Sequence, residues 1–236
     1  MSLFDKFSHL AAARAGLGAE GTPPVATPIE DIISAAEGVI DGKRVILAGT
    51  NNYLGLTLDP DVVDSAKKAL EHFGTGTTGS RMANGSYNAH GALEQEISAA
   101  FGWPSAMVFS TGYQANLASI ATLAGKDDYL LLDSDSHASI YDGAKLGNAQ
   151  TVIFRHNDPG NLDRRLSRLG ADASRALIVV EGLYSMLGDQ PPLAEFIEVK
   201  KRHNAWLLLD EAHSFGVFGD KGLGLAEQAG VLDDID

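Results

Sequence analysis

The chain has 236 residues, of which 44% are hydrophobic and 21% charged, a composition that excludes a largely disordered protein. Its formal net charge of -13 opposes contact with a nucleic-acid backbone. Because the chain has no cysteine, disulfides, thiolate nucleophiles and thiolate zinc sites are excluded. Near the amino terminus, Phe4, Phe7 and Leu10 recur at helical spacing, which predicts a short surface helix rather than a signal peptide. We expect a cytoplasmic protein whose contact with membranes is at most peripheral.

From Val45 onward, short apolar runs alternate with amphipathic segments, which predicts an α/β chain with a mainly parallel sheet between helices. The predicted strands are 45–48, 105–109, 129–132, 151–154, 176–180 and 205–209. The predicted helices between them are 60–73, 90–101, 113–123, 139–146, 161–169 and 193–203. We divide the chain into an amino-terminal helical or extended segment, 1–45, and a large domain, 46–236, which we expect to be incomplete at its carboxyl end.

Two segments in the first half of the chain combine glycine with hydroxyl side chains. Residues 74–85 form a long loop, which is either a plain linker or a binding loop. Residues 107–116 contain an apolar strand, a turn at Gly112 and the start of a helix. The free N–H groups and the positive dipole end of such a helix favour a phosphate, although similar turns also occur without a ligand.

Three further strands end in polar residues, and open α/β sheets bind ligands at the carboxyl edge of their strands. His137 follows one strand, and its imidazole is either structural or able to stack on a planar ring and transfer a proton. Asp210 and His213 follow another. Because a buried carboxylate needs a partner, we expect Asp210 to meet a cation such as a pyridinium nitrogen, to cap a turn or to bind a metal. Ser185 adds a hydroxyl at the same edge and, like Glu181, follows the predicted strand at 176–180.

Together these features predict a pocket for a phosphorylated, nitrogen-containing aromatic ring, for which pyridoxal 5'-phosphate is the simplest match. The sequence Asp-Glu-Ala-His at 210–213 also occurs in nucleic-acid helicases, which need the phosphate loop Gly-x-x-x-x-Gly-Lys-[Ser/Thr]. That loop does not occur in the chain. We therefore expect a pyridoxal-phosphate protein without a metal site.

The motifs together resemble those of the α-oxoamine synthases, which are pyridoxal-phosphate enzymes. The resemblance covers nearly the whole chain from about Asn51 and rests on residues 52–56, 76–81, 109–116, 136–139, 181–186 and 210–213. Within the family, segments 133–143, 154–157 and 184–189 are most similar to the soluble bacterial serine palmitoyltransferases. The 8-amino-7-oxononanoate synthases, 2-amino-3-ketobutyrate CoA ligases and 5-aminolevulinate synthases share the cofactor motifs and remain alternatives.

The resemblance implies a fold and a reaction. The fold would be a truncated fold type I large domain, with an aspartate-aminotransferase-like parallel sheet between helices. The reaction would be the decarboxylative condensation of L-serine with palmitoyl-CoA, or another long-chain acyl-CoA, to 3-oxosphinganine in sphingolipid biosynthesis. An acyl carrier protein is an alternative donor, although the negative net charge of the chain disfavours an acidic carrier. A homodimer with a shared active site is also implied.

The resemblance further implies roles for individual residues. The implied cofactor-binding residues are Gly112, Tyr113, His137, Ser185, Asp210 and His213. Three of them are also the expected catalytic residues: His137 would stack on the ring, Asp210 would pair with the ring nitrogen, and His213 would bond the phenolate oxygen. The implied substrate-binding residues are Asn52, Tyr53, Thr75, Ser80 and Arg81.

The chain departs from the family pattern in one respect. The family's Schiff-base lysine lies further beyond the Asp-x-Ala-His motif than this chain extends. Lys221 is the one lysine after Asp210, and we expect it to be solvated in a surface turn. We therefore expect these 236 residues to be inactive alone. A non-catalytic subunit, like the family members that lack the lysine, is the other interpretation.

Overall fold

A computed structural model describes residues 4–10, 12 and 27–236. The chain divides into two compact units, Met1–Thr75 and Gly76–Asp236. The division into domains at residues 45 and 46 stays a prediction. Near the amino terminus, Asp5–Phe7 form a 3-10 turn, and the predicted apolar side chains around it are exposed. Residues 8–10 and 12 are helical, and the rest of the predicted surface helix lies outside the described residues.

The first unit contains a three-stranded antiparallel sheet and one long helix. The strands β1 (Asp31–Ser34), β2 (Glu37–Ile40) and β3 (Lys43–Ile46) lie in that spatial order. Asp41 and Gly42 join β2 to β3 with positive φ at both residues, the geometry of a tight hairpin turn. The helix α1 (Pro60–Phe73) begins where predicted, because the Asp59 carboxylate accepts the first-turn N–H groups and Pro60 occupies the first helical position.

The second unit is a four-stranded parallel sheet covered by helices. Its strands are β4 (Tyr129–Asp133), β5 (Gln150–Phe154), β6 (Ala176–Glu181) and β7 (Trp206–Asp210), in the spatial order β5-β4-β6-β7. Its helices are α2 (Asn88–Phe101), α3 (Gly112–Leu123), α4 (Ala138–Leu146), α5 (Pro159–Leu169), α6 (Leu193–His203) and α7 (Leu225–Gln228). Each of β4, β5 and β6 is followed by a helix and then by the next strand, which confirms the predicted α/β organisation.

Both faces of this sheet are apolar, because successive side chains of a strand point to opposite faces. One face packs against α3 and α4 through the buried residues Ile120, Ala124, Leu130, Leu132, Ile140, Ala144 and Val179. The other packs against α5 and α6 through a larger cluster that includes Leu131, Phe154, Leu162, Leu166, Ile178, Val180, Phe196 and Leu207. Full burial of one such side chain stabilises the fold by about 1.5–3 kcal/mol. The residues at the strand ends are therefore held by a sheet that is well packed on both faces.

One strand prediction is wrong, and another identifies a strand but places it in the wrong sheet. The apolar run at 45–48 was expected in the parallel sheet, but the tight turn at Asp41 and Gly42 folds it back as β3 of the antiparallel sheet. The run at 105–109 is not assigned as a strand. The backbone of Val108 bonds to side chains instead: its N–H donates to Glu94 Oε1 at 2.9 Å, and its carbonyl accepts from Arg81 Nη1 at 3.2 Å. Within the described residues, every helix is too short or too polar to traverse a lipid bilayer.

Candidate functional site

Three of the four parallel strands end in a carboxylate at the same edge of the sheet. Asp133 ends β4, Glu181 ends β6 and Asp210 ends β7, and Glu181 is the register partner of Asp210. Asp133 and Glu181 are buried, whereas Asp210 is half-buried. The carboxyl edge thus collects ionisable groups, as the strand pattern predicts.

A series of hydrogen bonds joins Asp210 to His137. Asn116 of α3 donates from Nδ2 to Asp210 Oδ2 at 2.7 Å and to Ser139 Oγ at 2.9 Å. Ser139 Oγ lies 2.7 Å from His137 Nδ1, and the backbone N–H of Ser139 donates to the same nitrogen at 3.2 Å. The other oxygen of Asp210 accepts from the N–H of Ala212 at 2.9 Å. The helix α3, the start of α4 and the end of β7, which are distant in sequence, are therefore joined by one connected group of side chains.

The amino terminus of α3 opens toward the surface. Thr111 caps the helix, its hydroxyl accepting from the N–H of Gln114 at 3.1 Å. Gly112 is exposed, and a Cβ at this position would have no other atom within 4 Å. An anion can therefore approach the first-turn N–H groups closely.

Tyr113 is held beside this helix start by an acidic partner. Its hydroxyl donates to Asp142 Oδ2 of α4 at 2.6 Å. That hydrogen bond raises the pKa of Tyr113 and lowers the pKa of Asp142. The phenol is thus fixed as a hydrogen-bond donor to Asp142 next to the expected phosphate position.

Glu181 ties the end of β6 to the start of α4. It is 2% exposed, and its Oε1 accepts the N–H of His137, the N-cap residue of α4, at 2.5 Å. Burial raises the pKa of Glu181 to about 7; the hydrogen bond from His137 opposes this, and the charges of Asp210 and Asp133 add to it. A carboxyl group with a pKa near neutrality is therefore hydrogen-bonded to the backbone of His137, at the start of α4.

A second cluster fixes the loops that follow β4, β5 and β6. His156 Nδ1 lies 2.7 Å from Asp133 Oδ1, and its Nε2 lies 3.0 Å from Asp189 Oδ2. Asn157 donates from its backbone to Asp133 and from its side chain to Asp189. Burial lowers the pKa of His156, but the hydrogen bonds to the two carboxylates outweigh it and the pKa is raised. The Tyr184 ring packs edge-on against His156.

The other residues predicted at the cofactor lie in turns at the same edge. Ser185 is exposed after β6, and His213 is half-buried after β7. Of the predicted substrate residues, Asn52, Tyr53 and Thr75 belong to the first compact unit, and Ser80 and Arg81 to the second. Their roles stay predictions.

Asn52 and Arg81 each make a defined local contact. Asn52 Nδ2 donates to the carbonyl of Ala35 at 3.2 Å. Arg81 Nη1 pairs with Glu94 Oε1 at 2.7 Å and thereby holds the loop beside α2. In the loop itself, the backbone carbonyl of Gly79 closely approaches Gly85, where a side chain would collide with it. This close approach explains why position 85 of the predicted loop at 74–85 is a glycine.

Two further residues between 210 and 221, Glu211 and Lys221, have contacts that indicate a structural or surface position and not a place in the site. Glu211 accepts the N–H groups of Leu225 and Ala226, each at 2.9 Å, and so caps α7. It also accepts from the Ser214 hydroxyl. Lys221 is exposed in a turn, as predicted.

A family model described as aminotransferase class I and II matches residues 43–235, and the chain belongs to that family. A serine palmitoyltransferase of Caulobacter vibrioides is 52% identical over 236 residues, which is 100% of this chain and 58% of the relative. A solved structure of a serine palmitoyltransferase variant from S. paucimobilis with bound PLP–myriocin aldimine matches with a TM-score of 0.96 at 51% identity. That match covers 100% of this chain and 59% of the solved chain. An 8-amino-7-oxononanoate synthase of Cellvibrio japonicus is 42% identical over 195 residues, which is 83% of this chain and 48% of the relative.

These comparisons confirm the predicted resemblance and the predicted fold type. The similarity to serine palmitoyltransferases extends over the whole chain, whereas that to the 8-amino-7-oxononanoate synthase is weaker. The structural match confirms a large domain with a parallel sheet between helices. The chain spans less than two thirds of the length of these relatives.

Sequence reasoning did not assign roles to several residues of the site. Asn116 and Ser139 lie within recognised motifs but received no function, and Asp133 and His156 were recognised only as parts of a subfamily pattern. One signal was available for Asn116. It follows Gly112 by four positions on the same helix, so the two residues share a face.

Proposed function

We propose that the protein is a pyridoxal-phosphate-dependent serine palmitoyltransferase, which condenses L-serine with palmitoyl-CoA to 3-oxosphinganine and releases carbon dioxide and CoA. One observation carries the proposal: the hydrogen-bonded group of Asp210, Asn116, Ser139 and His137 lies at the carboxyl edge of a chain that is 52% identical, over its whole length, to a serine palmitoyltransferase. The weaker similarity to an 8-amino-7-oxononanoate synthase makes that reaction the second candidate.

The residues at this edge fit pyridoxal phosphate. The open start of α3 at Gly112 suits the phosphate group. Asp210 offers a half-buried carboxylate for a protonated ring nitrogen, and His137 offers an exposed imidazole that can lie against the ring. When bound, the cofactor supplies an electron sink that stabilises a carbanion at the α-carbon of the amino acid.

The chain's own residues then have the following roles in the proposal. Asp210 would pair with the protonated ring nitrogen, because its carboxylate is held in place by hydrogen bonds from Asn116 and Ala212. His137 packs on the ring and orients the substrate carboxylate. His213 and Ser185 contribute hydrogen bonds around the phenolate oxygen.

The proposal has further parts that rest on the resemblance to the family. They are a homodimer with a shared active site, a cytoplasmic location, a role in sphingolipid synthesis, and substrate contacts from Asn52, Tyr53, Thr75, Ser80 and Arg81. A catalytic lysine is also required, and Lys221 is not it, because that side chain is exposed in a turn. Because the chain spans 58% of the length of its serine palmitoyltransferase relative, activity is tested in the complete protein.

The test is a titration of that complete protein with pyridoxal phosphate, followed by L-serine, glycine or L-alanine, with absorbance and product formation from palmitoyl-CoA as readouts. We expect L-serine alone to shift the cofactor band and to give 3-oxosphinganine. Asp210→Asn should abolish the reaction, whereas Lys221→Met should leave it unchanged. A response to alanine in place of serine would support the second candidate, and cofactor binding without product would indicate a non-catalytic subunit.

A further inference from the structure

Asn116 is the branch point of the hydrogen bonds that join Asp210 and His137. We propose that Asn116 is a positioning residue, whose side-chain amide fixes the Asp210 carboxylate and, through Ser139, the His137 imidazole. The identity of the cofactor in this inference rests on the proposed function. The hydrogen-bonded arrangement itself does not, because it consists of contacts between this chain's own side chains.

The helix α3 contributes both the open amino terminus at Gly112 and the side-chain amide of Asn116. Gly112 and Asn116 are four residues apart and therefore lie on the same face. Close packing of α3 on α4 brings Ser139 within reach. Gly143 of α4 permits that contact, since a Cβ there would lie 3.1 Å from both the Asn116 carbonyl oxygen and Ile120 Cβ. The same helix thus presents its open amino terminus and, one turn later, the amide.

The donor directions in this group follow from the chemistry of its members. A carboxylate only accepts hydrogen bonds, so the amide nitrogen of Asn116, and not its oxygen, faces Asp210. The second amide hydrogen points to Ser139 Oγ, which leaves the serine hydroxyl hydrogen for His137 Nδ1. Reversal of the amide would place two acceptor oxygens 2.7 Å apart.

The same directions set the tautomer of His137. Its Nδ1 accepts from the backbone N–H of Ser139, so this nitrogen carries a lone pair. In the neutral ring the hydrogen is therefore on Nε2. The Ser139 hydroxyl adds a second donor to Nδ1 and links the ring to Asn116. The group consequently holds an acceptor at Asp210 and a donor at His137 Nε2.

The test compares Asn116→Leu with Ser139→Ala and with the control Ser136→Ala. Ser136 is a buried serine in the same turn, and its hydroxyl makes no hydrogen bond to any of the described residues. The first readout is the dissociation constant for pyridoxal phosphate, measured by titration of the complete apoprotein. We expect Asn116→Leu to raise it about tenfold or more, by analogy with residues that orient metal-binding side chains. We expect Ser136→Ala to change it less than twofold.

The second readout is the nitrogen NMR spectrum of His137 in the apoprotein, which reports the tautomer. Asn116→Leu and Ser139→Ala should both shift the ring-nitrogen signals, and Ser136→Ala should not. A double-mutant cycle of Asn116→Leu with Asp210→Asn should be non-additive in cofactor affinity, because both changes remove the same interaction. Ser139→Ala removes only a hydroxyl group. It tests the hydrogen bond between Ser139 and His137 even if Asn116→Leu does not fold.

Each outcome separates this inference from the proposed function. If the unaltered protein binds no pyridoxal phosphate, the proposed function fails, whereas the NMR comparison still tests the group. If the unaltered protein binds the cofactor but Asn116→Leu binds it equally well, the positioning role is overturned. Additive losses in the cycle, or unchanged His137 signals in both variants, would also overturn it.

Discussion

Glu181 gives the stability of this protein a pH dependence of unusual sign. Its pKa is about 7 in the fold against an ordinary value of 4.5, because burial disfavours the charged form. Between these values the folded protein holds a proton that the unfolded chain has released. The contribution of Glu181 to stability is therefore fully present below about pH 4.5 and is lost as the pH rises to about 7.

The size of the effect follows from the two pKa values. At 1.36 kcal/mol per pH unit, the difference between 4.5 and about 7 corresponds to about 3 kcal/mol in the free energy of unfolding. Glu181→Gln removes the charge but keeps an oxygen for the N–H of His137. Relative to the unaltered protein, the variant should gain about 2–3 kcal/mol more stability at pH 8 than at pH 5.

The measurement is urea unfolding of both proteins at these two pH values, followed by circular dichroism. Glu198→Gln on the exposed side of α6 is the matched control and should change stability by less than about 0.5 kcal/mol at either pH. If the gain from Glu181→Gln were the same at both pH values, Glu181 would be ionised in the fold and the burial argument would be refuted.

Two further predictions concern carboxylates with structural roles. Glu211→Ala leaves two buried N–H groups at the start of α7 without their acceptor and should lower the free energy of unfolding by about 2–4 kcal/mol; thermal unfolding that matches the unaltered protein would contradict this. Lys200 Nζ lies 2.5 Å from Asp236 Oδ2, which also accepts the N–H of Leu207 on the edge of β7. Lys200→Met should therefore speed hydrogen exchange at the Leu207 amide about tenfold, and unchanged protection would show that Asp236 stays in place without its cation.

The local elements of the fold were largely predictable. The helix α1 begins and ends at the predicted residues, because Asp59 and Pro60 start it and Gly74 at positive φ ends it. The helix α6 also matches at both ends, and Asn204 in the left-handed region terminates it. These signals act within a few residues and need no tertiary context.

The segment at 105–109 shows where such reasoning fails. Its apolar residues predict a strand, but a strand needs a neighbouring backbone to bond with. In the fold, Glu94 and Arg81 supply those hydrogen bonds to Val108 from their side chains. The hydrophobic pattern alone cannot distinguish these two ways of satisfying a backbone.

The sequence by itself determined the α/β class, most helix boundaries and the set of polar residues that follow the parallel strands, because each of these depends on short-range periodicity or on the common edge of a parallel sheet. Only the tertiary structure decided how those residues are joined. Asn116 meets Asp210 because α3 packs on the sheet beside α4, and Glu181 titrates near neutrality because the surrounding elements exclude water from it. Hydrogen-bond partners and desolvation depend on groups that are distant in sequence, and no local pattern records them.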